Sequence, residues 1–104
     1  MSAYIKVMSE RIMKPGFEGF CSNVMRGVQT KVKTFPGLMD YETLQDADDH
    51  HKYVVITTWK SRDHLDAWLV DPEYKDLCKK LETVLETKPS YRVLRQPKED
   101  IFLL

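Results

Sequence analysis

The chain has 104 residues, 42% of them hydrophobic and 31% charged, a composition that suits one globular domain and argues against wholesale disorder. Sixteen Lys and Arg balance sixteen Asp and Glu, so the positive surplus a nucleic-acid binder needs is missing. The longest apolar runs, such as Tyr53 to Ile56, are four residues, far short of the about 20 that a membrane-spanning helix needs.

Residues 3 to 13 alternate and read as a strand, with Ala3, Ile5, Val7 and Ser9 on one face and Tyr4, Lys6, Met8 and Glu10 on the other. Pro15-Gly16 breaks it. From Phe17 the period becomes helical: Phe17, Phe20, Cys21, Val24, Val28 and Val32 make one stripe, which Pro36-Gly37 stops. Leu38 to Leu44 reads as a second strand, residues 45 to 51 as a polar turn, and Lys52 to Trp59, rich in β-branched and aromatic residues, as a third. Ser61 is positioned to cap a short helix carrying Leu65, Trp68 and Leu69. Asp71-Pro72 restarts the helix, and Tyr74, Leu77, Cys78, Leu81, Val84 and Leu85 line its apolar face as far as Lys88-Pro89. Ser90 to Arg95 is a last strand and Pro97 to Leu104 a tail.

The order β-α-β-β-α-β predicts an α+β ferredoxin-like fold with an antiparallel sheet and helices on one face, a single domain over residues 1–104. Such a sheet leaves its other face bare, and the tail ends Ile101-Phe102-Leu103-Leu104. Both features predict a homodimer, with residues 97–104 packing on the partner subunit. Cys21 and Cys78 are too few for a disulfide scaffold, and residues 1–6 lack the apolar stretch of a secretory signal. A cytoplasmic protein with reduced thiols is the expectation.

Motif chemistry is sparse. His50 and His51 beside Asp46, Asp48 and Asp49 read as a solvated turn, because adjacent strand residues point to opposite sides and a metal needs convergence. Cys21 and Cys78 read first as small buried hydrophobes. No GxSxG, Walker loop or GxGxxG is present.

Three stretches carry a resemblance. Phe35-Pro36-Gly37-Leu38-Met39-Asp40-Tyr41-Glu42, Val54 to Ser61 and Leu65 to Pro72 together resemble the antibiotic biosynthesis monooxygenase (ABM) domain family. The resemblance implies a dimeric α+β barrel and an oxygenase that needs no cofactor, acting on a flat apolar substrate, quinol-like or haem. The alternative it leaves is a non-catalytic homodimer binding a small apolar molecule or haem. By spacing, Trp59-Lys60-Ser61 followed nine residues on by Trp68-Leu69 is similar to the haem-degrading branch. That branch's Asn position falls on Ser9 and its iron-binding His on Cys78, ten residues after Trp68. The resemblance thus implies Ser9, Trp68 and Cys78 as the catalytic set: a hydrogen-bond donor, a pocket wall and a polar or ligating group. Helical and strand periods agree on the place, since Ser9 shares the apolar face of its strand and Phe20, Val24, Val28, Leu77 and Leu81 are expected to face it as pocket walls.

Overall fold

The computed structural model describes residues 4–97. Its elements are β1 (Ile5–Ile12), α1 (Glu18–Lys33), β2 (Leu38–Gln45), β3 (Lys52–Trp59), α2 (Arg62–Leu69), α3 (Pro72–Glu82) and β4 (Ser90–Arg95). Local chemistry sets most boundaries. Ser61 Oγ accepts the His64 N–H at 3.3 Å to start α2, and Asp71 Oδ2 accepts the Tyr74 N–H at 3.0 Å ahead of Pro72 to start α3. Helix α1 has no side-chain cap but carries Glu18 in its first turn and Lys31 and Lys33 in its last, matching the helix dipole. Gly37, with φ +90°, enters β2 in a conformation that side chains disfavour. The imidazole of His64 fills the space its Cβ would take.

The strands form an antiparallel sheet in the order β2-β3-β1-β4, the ferredoxin-like arrangement expected from the element order. Ile5, Val7, Ser9 and Arg11 of β1 share the buried face with Tyr53, Val55, Thr57 and Trp59 of β3. Trp59 is fully buried there, its Nε1–H donating to Thr57 Oγ1 at 2.9 Å. The core divides in two. One cluster joins Val28, Val32, Leu65, Trp68 and Tyr74 to Ile5, Val7 and Trp59; the other joins Cys21, Val24, Leu81, Val84 and Leu85 to Tyr53 and Val55. Each large apolar side chain so buried contributes about 1.5–3 kcal/mol.

The helical period through Leu85 predicts a longer α3 than the chain makes. The helix stops at Glu82, and Val84 and Leu85 stay buried in a turn. The reason is backbone pairing: Lys14 N–H donates to Val84 O at 2.8 Å, Glu86 N–H to Ile12 O at 2.9 Å, and Leu85 bridges Met13. These bonds to the end of β1 replace those of a further helical turn.

Among the described residues no helix packs on the sheet's second face. Register places Met8, Ile12, Val54, Ile56, Leu44 and Leu94 on it. The tail expected to cover a partner lies, from residue 98 onward, outside the described residues. Among the described residues no helix is long and apolar enough to cross a membrane.

Candidate functional site

The alternation that buries Ile5 and Val7 continues into two polar residues. Ser9 and Arg11 are each only 3% exposed, on the face that meets the helices. A cavity of ≈ 30 Å³ lies there, walled by Val28 and Val32 of α1, Leu65 and Trp68 of α2, Tyr74 of α3, and Tyr91 of β4. That volume admits about one or two waters, whereas an aromatic ring needs on the order of 150 Å³.

Arg11 is the unusual group. Its Nε–H donates to Ser9 Oγ at 3.3 Å and its Nη1 to Met25 Sδ at 3.2 Å, and it hydrogen-bonds Tyr53. Among the described residues no carboxylate pairs with it; the ion pairs lie elsewhere. Burial works against the guanidinium charge, but Tyr74, Tyr91 and Tyr53 outweigh it and hold the pKa above the ordinary arginine value. The result is a permanent cation in a nearly dry site with only neutral partners.

Three phenols surround it. Burial is the main cause that raises the pKa of Tyr74, with Tyr91 next, so Tyr74 stays a neutral donor at physiological pH. Tyr53 is raised for the same first reason and by its contact with Cys21 Sγ, 3.4 Å from its hydroxyl. Tyr74 OH and Tyr91 OH lie 3.2 Å apart and close the cavity between α3 and β4. Above them Trp68 stacks on Tyr74, centroids 4.2 Å apart and planes 29° from parallel, and Phe35 meets Trp68 edge-on at 5.1 Å.

Beyond the Tyr74–Tyr91 pair opens a groove of ≈ 490 Å³, lined by Val7, Leu65, Leu69, Tyr74, Tyr91 and Val93, and by Lys75, Cys78, Lys79 and Glu82 of α3. Five of these residues (Val7, Leu65, Leu69, Tyr74 and Tyr91) also line the inner cavity, so the groove is its vestibule.

The sequence-derived set therefore divides. Ser9, Trp68 and Val28 line the cavity. Cys78 lines the vestibule on the far side of the tyrosine pair. Phe20, Val24 and Leu77 line a separate groove between α1 and α3, with Phe20 45% exposed; Phe20 sits at the flank of the stripe that Cys21, Val24, Val28 and Val32 bury. Leu81 is sealed in the second core cluster. The sequence reading missed Arg11, Tyr74 and Tyr91 as site residues. A charged residue in phase with Ile5 and Val7 was the available signal for Arg11; Tyr91 offered none, because only sheet pairing puts it beside Ser9.

No histidine lines the cavity or the vestibule; Cys78, Tyr74 and Tyr91 are the vestibule side chains of a type that can bind a haem iron.

The comparisons agree with the fold. A sequence model described as antibiotic biosynthesis monooxygenase matches residues 5–80. No curated protein sequence matches the chain. A conserved protein from Methanosarcina mazei Go1 superposes with TM-score 0.88 at 18% identity, covering 92% of this chain and 95% of its own. Rv0793 from Mycobacterium tuberculosis gives 0.83 at 19%, covering 92% and 97%. A mutant form of SnoaB from Streptomyces nogalater, a cofactor-independent oxygenase, gives 0.79 at 14%, covering 92% and 94%.

Proposed function

Since the chain belongs to the antibiotic biosynthesis monooxygenase family, we propose that it is a cofactor-independent monooxygenase of a flat, electron-rich phenol. One observation carries the reading: the buried Arg11 cation has no carboxylate partner among the described residues and lies among Ser9, Tyr53 and Tyr74 beneath the Trp68–Tyr74 stack. A buried cation costs several kcal/mol unless an anion meets it, and a phenolate oxygen supplies that anion.

The chemistry follows from that pairing. The phenol gives its O–H proton to solvent water in the open vestibule, from which the hydroxide formed later regains one, and Arg11 holds the phenolate, which strengthens as a donor once seated away from water. One electron passes to dioxygen, leaving superoxide and a phenoxyl radical. These join at the ring carbon para to the oxygen, forming a C–O bond. Loss of the para C–H proton with cleavage of the O–O bond gives the para-quinone and hydroxide, which takes a proton to become water. Phenol plus O2 thus gives quinone plus water, and every electron that reduces oxygen comes from the substrate. Ser9 OH and Tyr74 OH donate toward the oxyanion, and Trp68, stacked on the Tyr74 ring, holds that phenol in place. The uncovered sheet face with Met8, Val54 and Ile56 supports a homodimer, and two free thiols suit the cytoplasm.

The test is oxygen uptake with 1-naphthol, whose para carbon is free. Dioxygen should disappear mole for mole with 1,4-naphthoquinone appearing, and Trp68→Phe, Ser9→Ala and Arg11→Met should each slow it. No uptake with 1-naphthol or with substituted phenols of this kind sinks the proposal.

A further inference from the structure

The inner cavity is too small for a ring, so the body of any aromatic substrate must lie in the vestibule between α3 and β4. That vestibule is not purely apolar. Lys75 and Lys79, one helical turn apart, line it, and neither makes an ion pair among the described residues. The Arg11 guanidinium, the buried cation that also lacks a carboxylate among the described residues, lines the inner cavity, which shares Tyr74 and Tyr91 with the vestibule. Glu82, a turn beyond Lys79, is the one acidic group on the lining, so the vestibule keeps a positive balance. Val7, Leu65, Leu69 and Val93 supply its apolar lining. The inner cavity thus carries one cation and the adjoining vestibule two, with apolar side chains lining both.

We infer that the substrate is a hydroxylated aromatic acid: its ring lies on the vestibule floor, its phenol oxygen passes between Tyr74 and Tyr91 to Arg11, and its carboxylate is held by Lys75 and Lys79. This deepens the monooxygenase reading and rests on it for the fate of the ring. Tyr91, which that reading does not use, becomes a positioning residue. Its hydroxyl must leave Tyr74 for the phenol to enter, and it then faces the substrate from β4.

The experiment measures binding and is independent of turnover. The probes are 6-hydroxy-2-naphthoate, with hydroxyl and acid at opposite ends, and its methyl ester, which has nearly the same shape without the charge. Quenching of tryptophan fluorescence by energy transfer to the naphthalene reports occupancy of the vestibule, whose Tyr74 stacks on Trp68. The acid should bind roughly threefold to tenfold more tightly than the ester at low salt, the range that partly exposed charge pairs supply. That advantage should vanish in about 1 M salt, where the screening length is about 3 Å. In the Lys75→Ala, Lys79→Ala double variant the acid should bind no better than the ester, while ester binding and the circular dichroism spectrum match the parent. Equal binding of acid and ester by the parent overturns the inference, as does a preference that survives in the double variant. Failure of 1-naphthol oxidation with the acid preference intact removes the monooxygenase reading alone; oxidation without that preference removes only this inference.

Discussion

Arg11→Met separates a functional cation from a structural one. The guanidinium is 3% exposed, and its partners are the Ser9 hydroxyl at 3.3 Å, the Met25 sulfur at 3.2 Å and the Tyr53 phenol. Two hydrogen bonds from a charged donor to neutral oxygens contribute about 3–5 kcal/mol together, and the sulfur contact adds less. Against this stands the desolvation of one uncompensated ion, several kcal/mol even after relaxation. Methionine keeps the apolar stem in contact with the cavity wall and removes the charge. Ser9 and Tyr53 lose a donor, about 1–3 kcal/mol for a partner left unsatisfied, and Tyr53 keeps its contact with Cys21. The opposing terms nearly cancel, so the variant's stability should stay within about 2 kcal/mol of the parent's, or within about 15 °C in Tm for a domain of this size. Calorimetry and urea unfolding measure it, and oxygen uptake with 1-naphthol should be lost in the same protein. An inactive variant that keeps the parent's stability is the signature of a cation kept for function and not for the fold. A variant destabilised by more than about 2 kcal/mol would show instead that Arg11 holds the two core clusters together, and would refute the reasoning.

Gly37→Ala should destabilise the fold by about 2–3 kcal/mol, because φ +90° disfavours a side chain and the new Cβ displaces His64 from its contact with Ser61; a urea midpoint that hardly moves would show that His64 yields freely. In an alkaline titration followed by tyrosinate absorbance, Tyr53 and Tyr74 should ionise after the other tyrosines. Their folded pKa values lie above the unfolded value of about 10, so the fold retains protons that the unfolded chain releases. The contribution of these two phenols to stability should therefore be constant below about pH 10 and fall as pH rises beyond it; a flat profile above about pH 10 contradicts the burial of both phenols. Ile56→Lys, on the uncovered sheet face, should convert a dimer to a monomer in sedimentation at micromolar concentration, and an unchanged mass would move the interface elsewhere.

The sequence by itself determined the element order, because each transition has a local cause. Two-residue alternation makes β1, a 3.6-residue stripe makes α1, Ser61 and Asp71 cap α2 and α3, and Gly37 opens β2. The resemblance carried by residues 35–42, 54–61 and 65–72 pointed to the family, which the match over residues 5–80 shows. Of the set Ser9, Trp68 and Cys78 that it implied, the first two line the inner cavity and Cys78 the vestibule. The tertiary structure alone decided the rest, because the remaining facts depend on pairing between distant segments. The bond from Glu86 to Ile12 ends α3 early against its own periodicity. Packing of α3 on α1 leaves Phe20 45% exposed at the flank of the stripe and puts Val24 and Leu77 at a groove between the two helices, apart from the inner cavity. Sheet register brings Tyr91 opposite Ser9 from the far end of the chain, and the α3–β4 separation places Cys78 outside the tyrosine pair. Burial is a property of the assembled layers, so only the packed sheet and helices reveal that Arg11 is a cation without a counter-charge among the described residues.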